Sequence, residues 1–271
     1  MKFLSRFYMA LIFFILYAPI LVVILFSFNR SGSLSHFSGF SGYWYRELFR
    51  DGEALTALKN SLVLAVSSSL LATVLGTLAA FAIYRAKSRL YRGLSESVIN
   101  IPMMNPDIVT GVSMMLLFVG VASILRMEAS LGFWTMLIAH TTFNLPYVTL
   151  SVLPKFRQMD KNLTEAALDL GCTPMQTFFR VELPSILSGV VSGMMMCFTL
   201  SLDDFVISHF VSSPDFKTLP LYIYNQTAHE VKFSMYALCT LIIFVILALL
   251  ILVNVAGSVG ERRERRRGVR S

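Results

Sequence analysis

Charged residues are scarce in this chain. Asp, Glu, Lys and Arg make up 14% of its 271 residues, whereas apolar residues make up 55% and the mean hydropathy is +0.67. Soluble domains carry about 25% charged residues, which cover their surface. The composition therefore excludes a soluble globular protein and indicates an integral membrane protein.

Cysteines and enzyme motifs are also sparse. The three cysteines, Cys172, Cys197 and Cys239, lack the spacing of a disulfide framework or a zinc site. His140 and His209 are isolated in the sequence, which favours structural hydrogen bonds over metal binding. The Gly-x-x-x-x-Gly-Lys-Ser/Thr loop that binds ATP phosphates is missing. We therefore expect a protein that is not an enzyme, has no catalytic residues and binds no metal or cofactor by itself.

Long apolar runs dominate what is present. A helix needs roughly 20 apolar residues to cross a hydrocarbon core. Six runs meet this length: 8–28, 58–84, 98–125, 131–153, 186–211 and 233–257. The first run is too long for a signal-peptide core and lacks a small-x-small cleavage site, so we expect it to be retained. The sequence predicts an all-α protein with one transmembrane domain, 1–271, and a loop at 154–185.

Basic residues are distributed unevenly around these runs. With the N-terminus inside, 16 of the 23 Lys and Arg residues lie in the inner segments and 7 lie outside. The positive-inside rule therefore predicts that both termini and the loop 154–185 are cytoplasmic. The basic residues that give the net charge of +7 flank the apolar runs, as expected for this topology and for contact with anionic lipid. The sequence contains no basic face with interleaved aromatic residues, so we expect no nucleic-acid binding.

The loop 154–185 carries the start and stop signals of a first short helix. Asn162 is expected to cap it, with Glu165 at the third position in a capping box. Gly171 suits the left-handed residue that ends a helix. Ala166 and Ala167 leave one face small enough for another protein to approach closely.

A second helix is predicted to follow in the same loop. Thr173 is expected to cap it, with Pro174 at its first position and Gln176 at its third. Pro184 is expected to end it. These signals predict two short helices, either as a docking surface or as a hairpin that merely connects two spans.

This loop resembles the signature loop of ABC importer permeases, in which Glu-Ala-Ala, Gly, an aliphatic residue and Leu-Pro occur at fixed spacing. The matching residues here are Glu165, Ala166, Ala167, Gly171, Val181, Leu183 and Pro184. Val181 stands where that family more often has Ile. The resemblance covers nearly the whole chain and implies a type I importer permease of the bacterial inner membrane.

The same resemblance implies that the energy comes from partners. In that family the loop is cytoplasmic and docks on an ATP-hydrolysing subunit, so ATP and Mg are expected on two partner ATPases. A second permease subunit and an extracytoplasmic binding protein complete the implied assembly.

Three carboxylates, Asp107, Asp203 and Asp204, lie inside predicted spans that contain no Lys or Arg. Each costs roughly 2.5–3.5 kcal/mol at the centre of a transmembrane helix, so we expect them to face a cavity or a partner. A cationic substrate is the simplest missing partner, because carboxylates pair with ammonium groups and aromatic faces attract cations. A linear polyamine, with ammonium groups separated by methylenes, suits acidic groups spread along a path.

Asp107 follows two prolines that are expected to break a helix, Pro102 and Pro106. Such breaks are tolerated where the backbone lines a protected cavity. Asn105 is expected to cap the helix that resumes at Pro106, with Asp107 in the first turn, where the helix dipole favours a negative charge. Asp107 is therefore either a pathway residue or a stabiliser of the broken helix.

Asp203 and Asp204 are adjacent, and neighbouring residues of a helix point about 100° apart. One of them is expected to face a pathway and the other to meet a neighbouring helix or its own backbone, with the choice left open. Ser201 and Asp204 share a helix face because they lie three residues apart.

A narrower resemblance, to the spermidine/putrescine permease subgroup, involves four segments. They are Asn105–Val109, Leu131–Trp134, Leu200–Asp204 and Phe210–Pro214. The resemblance implies that Asp107, Asp203 and Asp204 lie on a polyamine path, with Ser201 as a weaker candidate. It also implies that Trp44 belongs to the outer entrance, near a docked periplasmic polyamine-binding protein. An aromatic belt at the membrane surface is the favoured explanation of Trp44 from the residues alone.

Other functions fit parts of the pattern. The same kind of importer for ferric ion, thiamine or an oxyanion shares the loop, although an oxyanion calls for basic groups or helix N-termini in the path. A secondary transporter that uses Asp107 as an ion site leaves the loop unexplained. A membrane enzyme requires a catalytic pair, which is not visible.

Overall fold

The protein is almost wholly helical in the computed structural model, which describes residues 2–33, 36–126, 131–227 and 232–248. No strand occurs among these residues apart from isolated bridges. The helices are α1 (Lys2–Ser27), α2 (Tyr43–Leu48), α3 (Gly52–Arg85), α4 (Arg89–Met104), α5 (Asp107–Ile124), α6 (Phe133–Gln158), α7 (Lys161–Asp169), α8 (Pro174–Thr177), α9 (Leu183–Asp203), α10 (Val206–Val211), α11 (Leu219–Thr227) and α12 (Ser234–Ala248). A π turn, Phe178–Glu182, joins α8 to α9.

Among the residues that the structure describes, five helical segments are long and apolar enough to cross a membrane. They are Arg6–Ser27, Gly52–Arg85, Asp107–Ile124, Phe133–Gln158 and Pro174–Asp203. The shorter apolar helix α12 lies within the sixth predicted run, whose remainder, 249–257, lies outside the described residues. The basic cluster at 262–270, which entered the topology prediction, also lies outside them.

The chain forms two compact units. The first combines Met1–Leu55 with Ile223–Ser271, and the second comprises Thr56–Tyr222. In the first unit, the buried Asn29 organises the loop after α1: its side-chain amide donates to the carbonyls of Ser33 and His36, each at 2.8 Å.

Small residues bring the helices of the second unit into close contact. A Cβ added at Gly76 in α3 would lie 2.7 Å from Val148 Cβ in α6, and one at Gly193 in α9 would lie 3.2 Å from Val148 Cα. Ser151 Oγ donates to the carbonyl of Gly189 at 2.9 Å. Lipid offers no hydrophobic drive for helix association, so close packing and interhelical hydrogen bonds of this kind stabilise the core.

The third predicted run is interrupted, but not in the way its prolines suggest. Pro102 lies inside α4, and the break falls at Asn105 and Pro106 alone. The expectation that Asn105 caps the next helix is wrong, since Pro106 occupies that position and its carbonyl accepts the N–H of Val109 at 2.9 Å. Asn105 has ψ 141°, because a residue before proline is restricted to extended backbone. The prediction that Asp107 lies in the first turn is confirmed.

The helical segment that covers the fifth predicted run, 186–211, begins earlier than that run. Residues Pro174–Asp203 form one continuous helical segment, so the expectation that Pro184 ends a helix is wrong. The reason is the π turn just before it, where the Leu183 N–H donates to the carbonyl of Phe178, five residues back. A proline ring clashes with the carbonyl four residues earlier in a regular α-helix, and the wider turn removes that clash.

Replacing Gly76 with Ala is expected to destabilise the protein. The added methyl group overlaps Val148, and overpacking of this kind costs about 1–3 kcal/mol. The measurement is the thermal unfolding midpoint in detergent. Gly120→Ala is the matched control, since its Cβ meets nothing within 4 Å. Equal midpoints for the two variants would contradict the packing explanation.

Candidate functional site

The first helix of the predicted loop is present with a different cap. The carboxylate of Asp160 accepts the N–H of Asn162 at 3.0 Å, and α7 begins at Lys161. The expectation that Asn162 is the cap is therefore wrong, because Asn162 is already helical while Asp160 has the extended backbone that a cap needs. Glu165 consequently lies two residues beyond the capping-box position.

The end of α7 agrees with the prediction for Gly171. Its φ is +84°, the left-handed conformation. The Gly171 N–H donates to the carbonyl of Leu168, and the Cys172 N–H donates to the carbonyl of Ala167. This pair of bonds is a Schellman motif, which satisfies the last carbonyls of the helix.

The start of α8 also agrees with the prediction. Gln176 N–H donates to Thr173 Oγ1 at 3.3 Å, and Thr173 N–H donates to Gln176 Oε1 at 3.0 Å. Pro174 occupies the first turn, where its missing N–H is not needed. We call residues 161–182 the α7–α8 hairpin.

The α7–α8 hairpin exposes large apolar side chains. Leu170 is 85% exposed and Met175 68%, and Leu168 and Phe179 are exposed as well. Contiguous exposed apolar groups rimmed by polar ones mark protein contacts. The signature residues of the hairpin, together with Leu183 and Pro184 that follow it, differ in their exposure. Glu165, Ala166, Gly171 and Pro184 are exposed, Val181 and Leu183 are half-buried, and Ala167 is buried.

The two adjacent carboxylates have different environments. The helix breaks here, with α9 ending at Asp203 and α10 beginning at Val206. Asp204 turns to its own backbone, where its carboxylate accepts the N–H groups of Ile207 at 3.2 Å and Ser208 at 2.8 Å. The side chain of Asp204 is 10% exposed, whereas Asp203 is exposed.

A buried polar network surrounds Asp204. His140 Nε2 lies 3.4 Å from Asp204 Oδ2 and 3.1 Å from Ser208 Oγ, and His140 Nδ1 lies 2.7 Å from Ser201 Oγ. Ser201 Oγ lies 2.8 Å from Ser68 Oγ in α3. Both nitrogens of His140 are thus engaged, as expected for a structural histidine, and the hydroxyl of Ser201 is committed to this network. The network joins four helices, α3, α6, α9 and α10.

Asp107 is exposed at the start of α5, where the helix dipole favours its charge. This position fits both a pathway residue and a stabiliser of the resumed helix. Within the described ranges, no group of three His, Cys, Asp or Glu side chains is placed to hold a metal ion.

Trp44 is half-buried in the first unit and fixed on several sides. Its indole N–H donates to the carbonyl of Asn29 at 2.6 Å. Its ring centroid lies 5.6 Å from that of Phe233 and 5.0 Å from that of Tyr43. Through these contacts Trp44 attaches α2 to the loop that follows α1.

Sequence reasoning missed Ser68, Ser208 and Glu182. Nothing marks Ser68 in an apolar run, whereas Ser208 lies four residues after Asp204, the spacing of one helix turn. Glu182 lies inside the loop signature, between Val181 and Leu183, yet its spacing carries no signal of burial or pairing.

Replacing Asp204 with Ala is expected to lower stability more than replacing Asp203 with Ala. The first change leaves two backbone N–H groups and His140 without their carboxylate, and loss of a helix cap costs about 0.5–2 kcal/mol. The second removes an exposed side chain, which changes stability by about 0.5 kcal/mol or less. Thermal unfolding in detergent measures both, and a larger loss for Asp203→Ala would contradict this division of roles.

Solved structures of ABC transporters share this fold. A chain of a bacterial ABC transporter involved in the import of the acidic polysaccharide alginate matches with a TM-score of 0.76 and 16% identity over 95% of both chains. A chain of the methionine ABC transporter MetNI in an inward-facing conformation matches with a TM-score of 0.59 and 21% identity, covering 81% of this chain and 96% of that one. The predicted all-α fold of a type I importer permease is confirmed.

The sequence is similar to those of named permease proteins. The putrescine transport system permease protein PotI of Escherichia coli (strain K12) is 39% identical over 233 residues, 85% of this chain and 82% of that protein. The spermidine/putrescine transport system permease protein PotC of Haemophilus influenzae is 38% identical over 250 residues, 92% of this chain and 95% of that protein. Residues 72–265 match a family described as binding-protein-dependent transport system inner membrane component. The chain belongs to this family: it is a multi-pass permease subunit of the inner membrane, and not an enzyme.

Proposed function

We propose that this permease subunit carries polyamines, putrescine or spermidine, across the inner membrane in an ATP-driven importer. The names of the relatives support the substrate class. The observation that carries the proposal is the exposed carboxylate of Asp203 at a helix break within an apolar segment. A charge in such a place is retained for a partner, and a substrate ammonium group supplies one.

The two adjacent carboxylates have separate roles in this proposal. Asp204 holds the start of α10 and orients the break through His140. The exposed Asp203 binds the cation, and the exposed Asp107 provides a second acidic contact at the start of α5. The contacts must be weak enough for release, so affinity for the substrate resides mainly in the binding protein.

The α7–α8 hairpin is the proposed contact with the ATPases. Its exposed Leu170 and Met175 offer apolar anchors, and the small side chain of Ala166 permits close approach of a partner backbone. The positive-inside distribution of Lys and Arg supports a cytoplasmic position for this hairpin and for both termini. ATP and Mg bind to the two ATPase subunits, which move the hairpin.

The complete importer in this proposal contains a second permease subunit and a periplasmic polyamine-binding protein. Trp44 lies in α2, within the segment 29–57 that is an outer segment of the predicted topology. Its fixed ring supports the surface on which the binding protein docks, and direct contact with substrate is not required of it.

Replacing Asp203 with Asn is expected to lower polyamine uptake about tenfold or more, because a hydrogen bond to a charged group is worth about 1.5–3 kcal/mol. Asp107→Asn is expected to lower uptake as well, since it removes the second negative charge. The measurement is putrescine and spermidine uptake, with and without ATP, into vesicles rebuilt with all partner subunits.

Asp215→Asn is the control for these variants, since Asp215 is exposed in the loop between α10 and α11. Its uptake should equal that of the wild type, and all three variants should assemble. Unchanged uptake in Asp203→Asn would remove Asp203 from the path. Uptake of a ferric chelate in place of polyamines would show that the importer carries another cation.

Replacing Leu170 with Glu is expected to weaken copurification of the ATPase subunits. A buried interface anchor contributes about 2 kcal/mol or more, and a charge placed there adds a desolvation cost. Phe49→Glu is the matched control, because Phe49 is also exposed but lies in the loop after α2. Full retention of the ATPases by Leu170→Glu would exclude Leu170 from the interface.

A further inference from the structure

A buried carboxylate joins three segments at one end of the second unit. Glu182, the last residue of the π turn, is fully buried. Arg85, the last residue of α3, donates to Glu182 Oε1 at 2.5 Å. Thr164 Oγ1 in α7 donates to the same oxygen at 3.2 Å. One oxygen atom therefore connects α3, α7 and the π turn that leads into α9.

Burial makes this junction costly to break. A carboxylate shielded from water depends on its partners, and removal of one partner leaves an uncompensated charge. The side chain of Arg85 is 44% exposed, so it remains partly hydrated while it neutralises Glu182. Its guanidinium also lies 5.3 Å from the centroid of the Phe81 ring, which packs edge-on against Phe178 in the π turn at 4.9 Å. The last turn of α3 is thus held by charge and by aromatic packing.

The π turn sets the direction of the Glu182 side chain. A π turn inserts one residue into a helix, which rotates the side chains on either side of it by about 100° relative to each other. Such turns occur frequently at functional sites. Here the turn accommodates Pro184 and directs Glu182 towards Arg85 and Thr164.

We propose that Glu182 is a positioning residue that transmits motion of the α7–α8 hairpin to α3. The inference rests on the proposed function, in which an ATPase moves the hairpin. Arg85 and Thr164 bind the same oxygen of a buried carboxylate. Displacement of α7 therefore displaces the end of α3 as long as the Thr164 hydrogen bond and the Arg85 ion pair both hold.

The helix α3 extends this connection to the polar network at the helix break. Ser68 lies roughly 25 Å along α3 from Arg85, at 1.5 Å per residue. Ser68 contacts Ser201 at 2.8 Å, and Ser201 contacts His140 at 2.7 Å. Motion that enters at Glu182 thus reaches the surroundings of Asp204 through one continuous helix.

Thr164→Val tests the junction with little disturbance, because Val keeps the shape of Thr and removes only the donor to Glu182. The assay uses vesicles with the complete importer and measures putrescine molecules taken up per ATP hydrolysed. We expect this ratio to fall about fivefold or more, as for a coupling between sites. The ATPases should still copurify, whereas a merely structural role would lower the yield of complex and leave the ratio unchanged.

Glu182→Gln is a second variant, which keeps the side-chain oxygen but removes the charge that pairs with Arg85. We expect the same fall in the ratio. Glu96→Gln is the control, since Glu96 forms an exposed ion pair with Arg157 that joins α4 to α6. Its ratio should equal that of the wild type.

An unchanged ratio in Thr164→Val overturns the inference, as does an equal fall in Glu96→Gln. If Glu182→Gln fails to assemble, Thr164→Val decides alone. A wild-type importer without ATP-dependent polyamine uptake would instead overturn the proposed function and, with it, this inference. If the wild type couples uptake to ATP and the variants show the same ratio of putrescine to ATP as the wild type, only the role of Glu182 is overturned.

Discussion

Backbone N–H groups in an apolar environment must find acceptors within the protein, and this constraint underlies the arrangement of the site. The break between α9 and α10 leaves the first N–H groups of α10 without acceptors inside the helix. The carboxylate of Asp204 accepts two of them. The charge of Asp204 is thereby stabilised by its own backbone and by His140. Asp203 takes no part in this stabilisation and lies exposed beside it. A helix break and an available carboxylate thus arise from the same pair of residues.

The polar network and the small-residue packing have complementary effects on the second unit. Close approach of α3, α6 and α9 leaves little space around Val148, where glycines face it from two helices. Within that packed core, Ser68, Ser201 and His140 form side-chain hydrogen bonds across three helices. Such bonds have direction, whereas apolar packing does not, so they specify the rotation of each helix about its axis.

The fold and much of the hairpin could be predicted from the sequence, because their signals are local. Gly171 and Thr173 act through their immediate neighbours, and both behave as predicted. Asn162 and Pro184 were misjudged because a better cap lay two residues earlier and a π turn intervened. The pairing of Glu182 with Arg85 was not foreseen, since it joins residues 97 positions apart and spacing carries no record of it. The assignment of the two adjacent aspartates likewise required three-dimensional contacts.

The fit of α6 against α9 has a consequence for how the second unit changes shape. A Cβ added at Gly189 would lie 2.7 Å from Lys155 Cγ, and Ser151 Oγ donates a hydrogen bond to the carbonyl of Gly189. Sliding one helix past the other would drive side chains into this gap and sever that bond. Any rearrangement that preserves this contact must therefore move α6 and α9 together as one rigid body.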